Sequence, residues 1–175
     1  MKIRNGFVSN SSSSSFIVCF KGKTLKDCFN CMKNHKEVFN IEGEYLDPEN
    51  KFNGYDWIKH TTSLEEIINI LKPLYVPYKN DKYVSYVTVR KLEDLIQEQK
   101  DQLPFSDKYY IEKLNGKIKK LEKSYNKGLK SVLLFRAGDT DKGINIDPLR
   151  NILDSEGYQL ECNYDDLIIF YYSEH

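Results

Sequence analysis

No stretch of these 175 residues is apolar over the roughly 18 consecutive positions that a membrane-spanning helix requires. Neither sign of charge prevails. Lys+Arg and Asp+Glu both number 26, so contact with nucleic acid or a membrane surface has to come from local asymmetry, not from overall basicity. The three histidines, His35, His60 and His175, stand far apart in the chain, and no serine sits in a G-x-S-x-G elbow. No nucleophile, base and orienter can be read together. Phosphate-cradling G-x-G-x-x-G and G-K-[ST] loops are missing too, and the expectation is a protein that uses no cofactor. Lys2 and Arg4 are followed by serines where a secretory signal would carry its apolar core. That pattern reads as a protein made and kept in a cytoplasm, with its four cysteines reduced.

What the chain does have is aromatic surface and one peculiar stretch. Its 13 tyrosines and 9 phenylalanines are many for the length. Tyrosine buries its ring and keeps its hydroxyl wet, so these residues are expected at core margins and at an interface. The peculiar stretch runs from Arg4 through Asn10 into five serines, Ser11 to Ser15, and then into Phe16-Ile17-Val18. A serine tract alone reads as a spacer. Apolar residues on both sides argue for anchoring, and the run Phe16–Phe20, closed by Gly22, reads as a buried strand.

Thr24 is a fair N-cap for a helix from about Leu25 to Asn34, with Leu25, Cys28, Phe29 and Met32 as its apolar stripe. Residues 42–56 carry Gly, Pro and Asn and are read as irregular surface, held down by Tyr45, Phe52 and Tyr55, with Trp57 just beyond. Ser63 and Glu66 spell a capping box for a helix expected to stop before Pro73. Lys82 to Val89 alternates and is rich in β-branched residues, so it reads as a strand.

Leu92, Leu95, Ile96 and Leu103, then Ile111, Leu114, Ile118, Leu121 and Tyr125, make the two sides of a helical hairpin turning at Pro104-Phe105-Ser106. Ser131–Phe135 reads as the next strand. Asp147-Pro148 and Gly157 bound a further helix, and Tyr158–Cys162 and Leu167–Tyr172 make a closing hairpin. The sum is an α+β domain: a mixed sheet of about five strands, packed helices, and a protruding two-helix arm over 91–127. Residues 1–15 are set apart as a Ser-rich tag and 16–175 as one domain.

Three constellations are candidate sites. Cys28, Cys31 and His35 place two thiols and an imidazole on one helix face, a weak metal pattern against the plain reading of a core cysteine and a surface histidine. Asp139 and Asp141, after the strand ending near Arg136, suit a divalent metal or a nucleotide's bound metal, though Asp and Gly are also what a turn wants. The arm is basic: Lys113, Lys117, Lys119, Lys120 and Lys123 lead a lysine-rich run with Tyr109, Tyr110 and Tyr125 interleaved. Such a run suits an acidic partner or a nucleic-acid backbone, or is a solvated helix face.

The stretch Arg4-Asn5-Gly6-Phe7-Val8-Ser9-Asn10, with its five serines and Phe16, resembles the N-terminus of a scattered group of uncharacterised bacteriophage and prophage proteins, which share this wording and then diverge. The resemblance covers about the first 17 residues. It implies phage origin and carries no activity over. A short tag on unlike bodies suits a shared address or partner better than a shared reaction, which makes Arg4, Gly6, Phe7, Val8 and Asn10 candidate partner-binding residues. The expectation is therefore a phage-encoded accessory protein in the host cytoplasm, with virion association as a variant. It binds a host or phage protein partner and has no membrane partner. The alternatives are a small metal-dependent enzyme or nucleotide binder at Asp139 and Asp141, and nucleic-acid binding through the arm.

Overall fold

The computed structural model describes residues 14–39, 41–46, 57–78, 87–137 and 162–173. The first strand, β1 (Ser14–Phe20), lies at the centre of a five-stranded sheet. On one side it pairs with β5 (Ser131–Ala137), itself flanked by the short strand β4 (Thr88–Lys91). On the other it pairs with β7 (Leu167–Ser173), which carries β6 (Cys162–Asn163) at the far edge. Five strands in an α+β fold agree with the sequence reading. The strand directions do not. All four pairings are antiparallel, and the one parallel contact among the described residues is an isolated bridge between Tyr75 and Val87.

The period-2 geometry of a strand sorts β1 onto two faces. Val18 and Phe20 point to one side with Leu133, Leu167 and Ile169, where two helices cover them: α1 (Leu25–Asn34) and α2 (Leu64–Leu74). Ile17 and Cys19 point to the other with Val132 and Phe170, under a second helical pair: α3 (Leu92–Gln102) and α4 (Lys108–Asn126). A strand buried on both faces reads as a continuous apolar run, and this is why Phe16–Phe20 and Leu167–Phe170 show no alternation. The fold is three layers, with the serine-fed strand in the middle one.

That placement moves a boundary. Ser14 and Ser15 are already paired on both sides, Ser14 opposite Ala137 and Ser173, Ser15 opposite Arg136 and Tyr172. The tract thus enters the sheet two residues earlier than a division at Phe16 supposes. The arm is also less detached than expected. Leu92, Leu95, Ile96 and Leu121 at its base roof the sheet, and only its tip stands clear of the core.

Both N-caps are where the sequence places them: Ser63 and Glu66 form the expected box at α2, and at α1 Thr24 caps the helix in a box that Asp27, not foreseen, completes. Two readings need correction. The α2 helix runs through Pro73 to Leu74. A proline in the last turn forfeits only one ladder bond, and Leu71 and Leu74 packing on the core holds the turn. The segment read as irregular contains half of a hairpin, β2 (Ile41–Leu46) against β3 (Trp57–Thr62). Gly43 and the glutamates beside it disfavour a strand, and pairing with the β-branched Ile58, Thr61 and Thr62 overrides them. The segment 82–86 and the expected Asp147–Gly157 helix lie outside the described residues.

Gly22 ends β1 with φ at +128°, a conformation L side chains rarely adopt, and a Cβ there would meet the Asp27 Cβ at 2.4 Å. Asp27 cannot retreat without losing the backbone N–H groups of Lys23 and Thr24, each 2.9 Å from its carboxylate. Gly128, with φ +97°, has open space where its Cβ would go. Gly22→Ala is therefore expected to cost about 2–3 kcal/mol and Gly128→Ala about 1 kcal/mol, a ranking that urea denaturation of the two variants will read.

Candidate binding surface on the helical arm

The Cys28, Cys31 and His35 pattern does not converge. Cys28 is wholly buried against the sheet, Cys31 gives its thiol hydrogen to the Lys21 carbonyl at 3.4 Å, and His35 turns away to Asp166. Burial holds the Cys28 and Cys31 thiols above their ordinary pKa, the opposite of what a thiolate ligand needs. Burial likewise pushes Cys19 up to about 12 and Cys162 up to about 11. Among the described residues no three His, Cys, Asp or Glu side chains gather as a metal cluster would.

His35 instead ties α1 to the turn between β6 and β7. Its Nε2 lies 2.5 Å from an Asp166 carboxylate oxygen, Asn34 donates to the other oxygen at 3.2 Å, and Tyr164 stacks on the imidazole at 3.7 Å. The partners of this clasp, His35 and Asp166, are 131 residues apart, so no local pattern in the sequence signals it. Burial pulls the Asp166 carboxyl upward, but the bonds from His35 and Asn34 outweigh it and leave the pKa below the ordinary value. A depressed carboxylate contributes stability above its unfolded-state pKa of about 3.9 and loses it as pH falls through the folded value. Asp166→Asn is accordingly expected to cost about 1–3 kcal/mol at pH 7. Urea midpoints for variant and wild type should converge below about pH 4.

The arm is where surface and charge are unusual. Its seam forms in part: Leu92, Leu95 and Ile96 of α3 and Leu114, Ile118 and Leu121 of α4 are buried, Leu121 in one cluster with the three α3 residues, while Leu103, Ile111 and Tyr125 are half-buried. Lys100 to Glu122 at 2.6 Å and the Tyr125 hydroxyl donating to Glu93 at 3.4 Å close the side where the helices meet. At the tip, Leu103–Phe105 makes a single 3-10 turn, and Asp107 caps α4 through the Tyr110 N–H. Here the apolar side chains come out. Phe105 is 92% exposed, Tyr109 65% and Tyr110 52%. A phenylalanine in a turn has no seam position to fill, and that was the signal in the sequence.

The candidate lysines divide. At about 100° per residue, Lys113, Lys117 and Lys120 line one flank of α4, while Lys119 lies across the helix and Lys123 faces outward. Lys113 sits over the Tyr109 ring at 4.6 Å, and Lys120 over Phe170 of β7 at 5.7 Å. Further down, Lys127 donates to Asn163 of β6 at 2.9 Å. The basic flank therefore follows the β7–β6 side of the sheet.

The outer flank of α3 is acidic and follows the opposite edge. Asp94, Glu98 and Asp101 share a shallow trough of about 540 Å³ with Gln97, Gln102, Phe105 and Ser106. Glu98 is held at 2.5 Å by Arg90 of β4, whose guanidinium lies 4.2 Å over the Tyr78 ring. The tag residues Arg4, Gly6, Phe7, Val8 and Asn10, and the loop residues Asp139 and Asp141, lie outside the described residues. No helix among the described residues is long and apolar enough to cross a membrane. Comparison with protein-family models, curated proteins and solved structures finds no match to this chain.

Proposed function

We propose that this chain is a phage-encoded accessory protein that works by binding another protein, a host or defence factor or a virion component, rather than by catalysis. The observation that carries the reading is the arm tip, where Phe105, Tyr109 and Tyr110 stand exposed on a helical hairpin anchored in the core. Exposed aromatics on a rigid support are what dominates protein interfaces, and burying Phe105 alone is worth about 1.5–3 kcal/mol. The N-terminal tag is a second contact in this proposal.

Affinity capture from infected cells separates tip from tag. The full chain and a chain lacking residues 1–13, which leaves the paired Ser14 and Ser15 in place, should both recover a partner in near-stoichiometric amount. Phe105→Ser with Tyr110→Ser should recover less than about a tenth as much. Recovery of nothing, or loss of the partner only when residues 1–13 are removed, would count against the tip.

A nucleic-acid reading is favoured by one feature, the flank of Lys113, Lys117 and Lys120. It expects affinity that falls with salt with a log–log slope of about −2 to −3, and Lys117→Glu with Lys120→Glu should remove it. The metal or nucleotide reading at Asp139 and Asp141 stands or falls with thermal shifts on Mg²⁺, Mn²⁺ and nucleotides, compared between wild type and Asp139→Asn with Asp141→Asn.

A further inference from the structure

The two outer flanks of the arm are complementary in charge and lie on opposite sides of the molecule. Asp94 and Asp101 on α3 look out beside β4, one edge of the sheet, where Arg90 holds Glu98. Lys113, Lys117 and Lys120 on α4 look out on the side of β7 and β6, the other edge, where Lys120 meets Phe170. Between the two helices, Lys100 pairs with Glu122 and Tyr125 with Glu93. Each flank also carries an aromatic at its tip end: Phe105 lines the acidic trough, and Tyr109 lies under Lys113 on the basic side. With 26 positive and 26 negative side chains overall, this separation is an arrangement within the fold and not a surplus of one sign.

We propose that the arm is a self-association element, with the acidic flank of α3 in one copy docking on the lysine flank of α4 in the next. The occupant is argued from charge: a second copy carries both flanks, and they are opposite in sign and alike in length along a helix and in aromatic content. Because the flanks are different surfaces on opposite sides, the contact is heterologous. Copies add head to tail until a ring closes, or remain open-ended. The contact shares Phe105 and Tyr109 with the tip's binding of another protein, but it is read on the purified chain alone through charge exchanges that leave both aromatics in place, so either reading can fail without the other.

The experiment is a charge exchange followed by sedimentation velocity at about 100 μM protein, in low salt and again in about 0.5 M salt. Wild type should show masses above the monomer at low salt that fall back at high salt, where exposed charges are screened. Asp94→Lys with Asp101→Lys makes both flanks basic, and Lys113→Glu with Lys120→Glu makes both acidic. Each variant alone should be monomeric, and an equal mixture should regain the wild-type mass. Asp94, Asp101 and Lys120 are exposed and Lys113 is half-buried, so the melting temperatures of the variants should stay within a few degrees of wild type. A wild type that is monomeric at low salt overturns the proposal. So does association that survives either exchange, or a mixture that stays monomeric.

Discussion

Replacing Phe20 by alanine is expected to cost about 3–5 kcal/mol, a large part of the 5–15 kcal/mol that holds a typical domain together. Phe20 is fully buried at the end of the central strand, opposite Ser131 on one side and Leu167 on the other. It belongs to the cluster of α1 and α2 and includes Cys28, Met32 and Leu71 among its members. Strands on both sides and helices above leave little room for the site to collapse, which places the cost toward the upper end. Equilibrium urea unfolding checks the value. A loss below about 1 kcal/mol would mean that this face is not packed as described.

Leu121→Ala tests the opposite face. Leu121 is fully buried where α4 crosses the sheet, in one cluster with Ile17, Cys19, Val132 and Phe170. Its truncation is expected to cost about 2–5 kcal/mol. The form of the transition is as informative as its size. If the arm base is a layer of the domain, far-UV circular dichroism should report a single transition with a lowered midpoint. A detached arm would instead melt alone and give two transitions, the second at the wild-type midpoint.

The contrast between those two outcomes also marks how far the sequence could be read. Local signals were legible because they act over three or four residues: Thr24 as an N-cap, Ser63 with Glu66, and the Leu114, Ile118, Leu121 seam. Strands buried on both faces showed as apolar runs for the same reason. What failed was decided at a distance. The β2 strand exists because Trp57–Thr62 lies beside it, not because of its own glycine and acids. The α2 helix passes Pro73 because Leu71 and Leu74 have a core to reach. Leu95 and Ile96 looked like an arm's seam, and nothing in their spacing told that they also meet Ile17 and Cys19. The candidate site divided in the same way. The lysines were visible as a run, but their split between flanks follows from the helix and the sheet edge it lies along.

Binding through the arm tip is the central claim, and its most direct measurement is titration calorimetry with the captured partner against wild type and the Phe105→Ser, Tyr110→Ser variant. Two aromatic anchors together should be worth at least about 2 kcal/mol, which raises Kd roughly thirtyfold or more while the melting temperature stays unchanged. Equal Kd values for a folded variant and wild type would contradict the account.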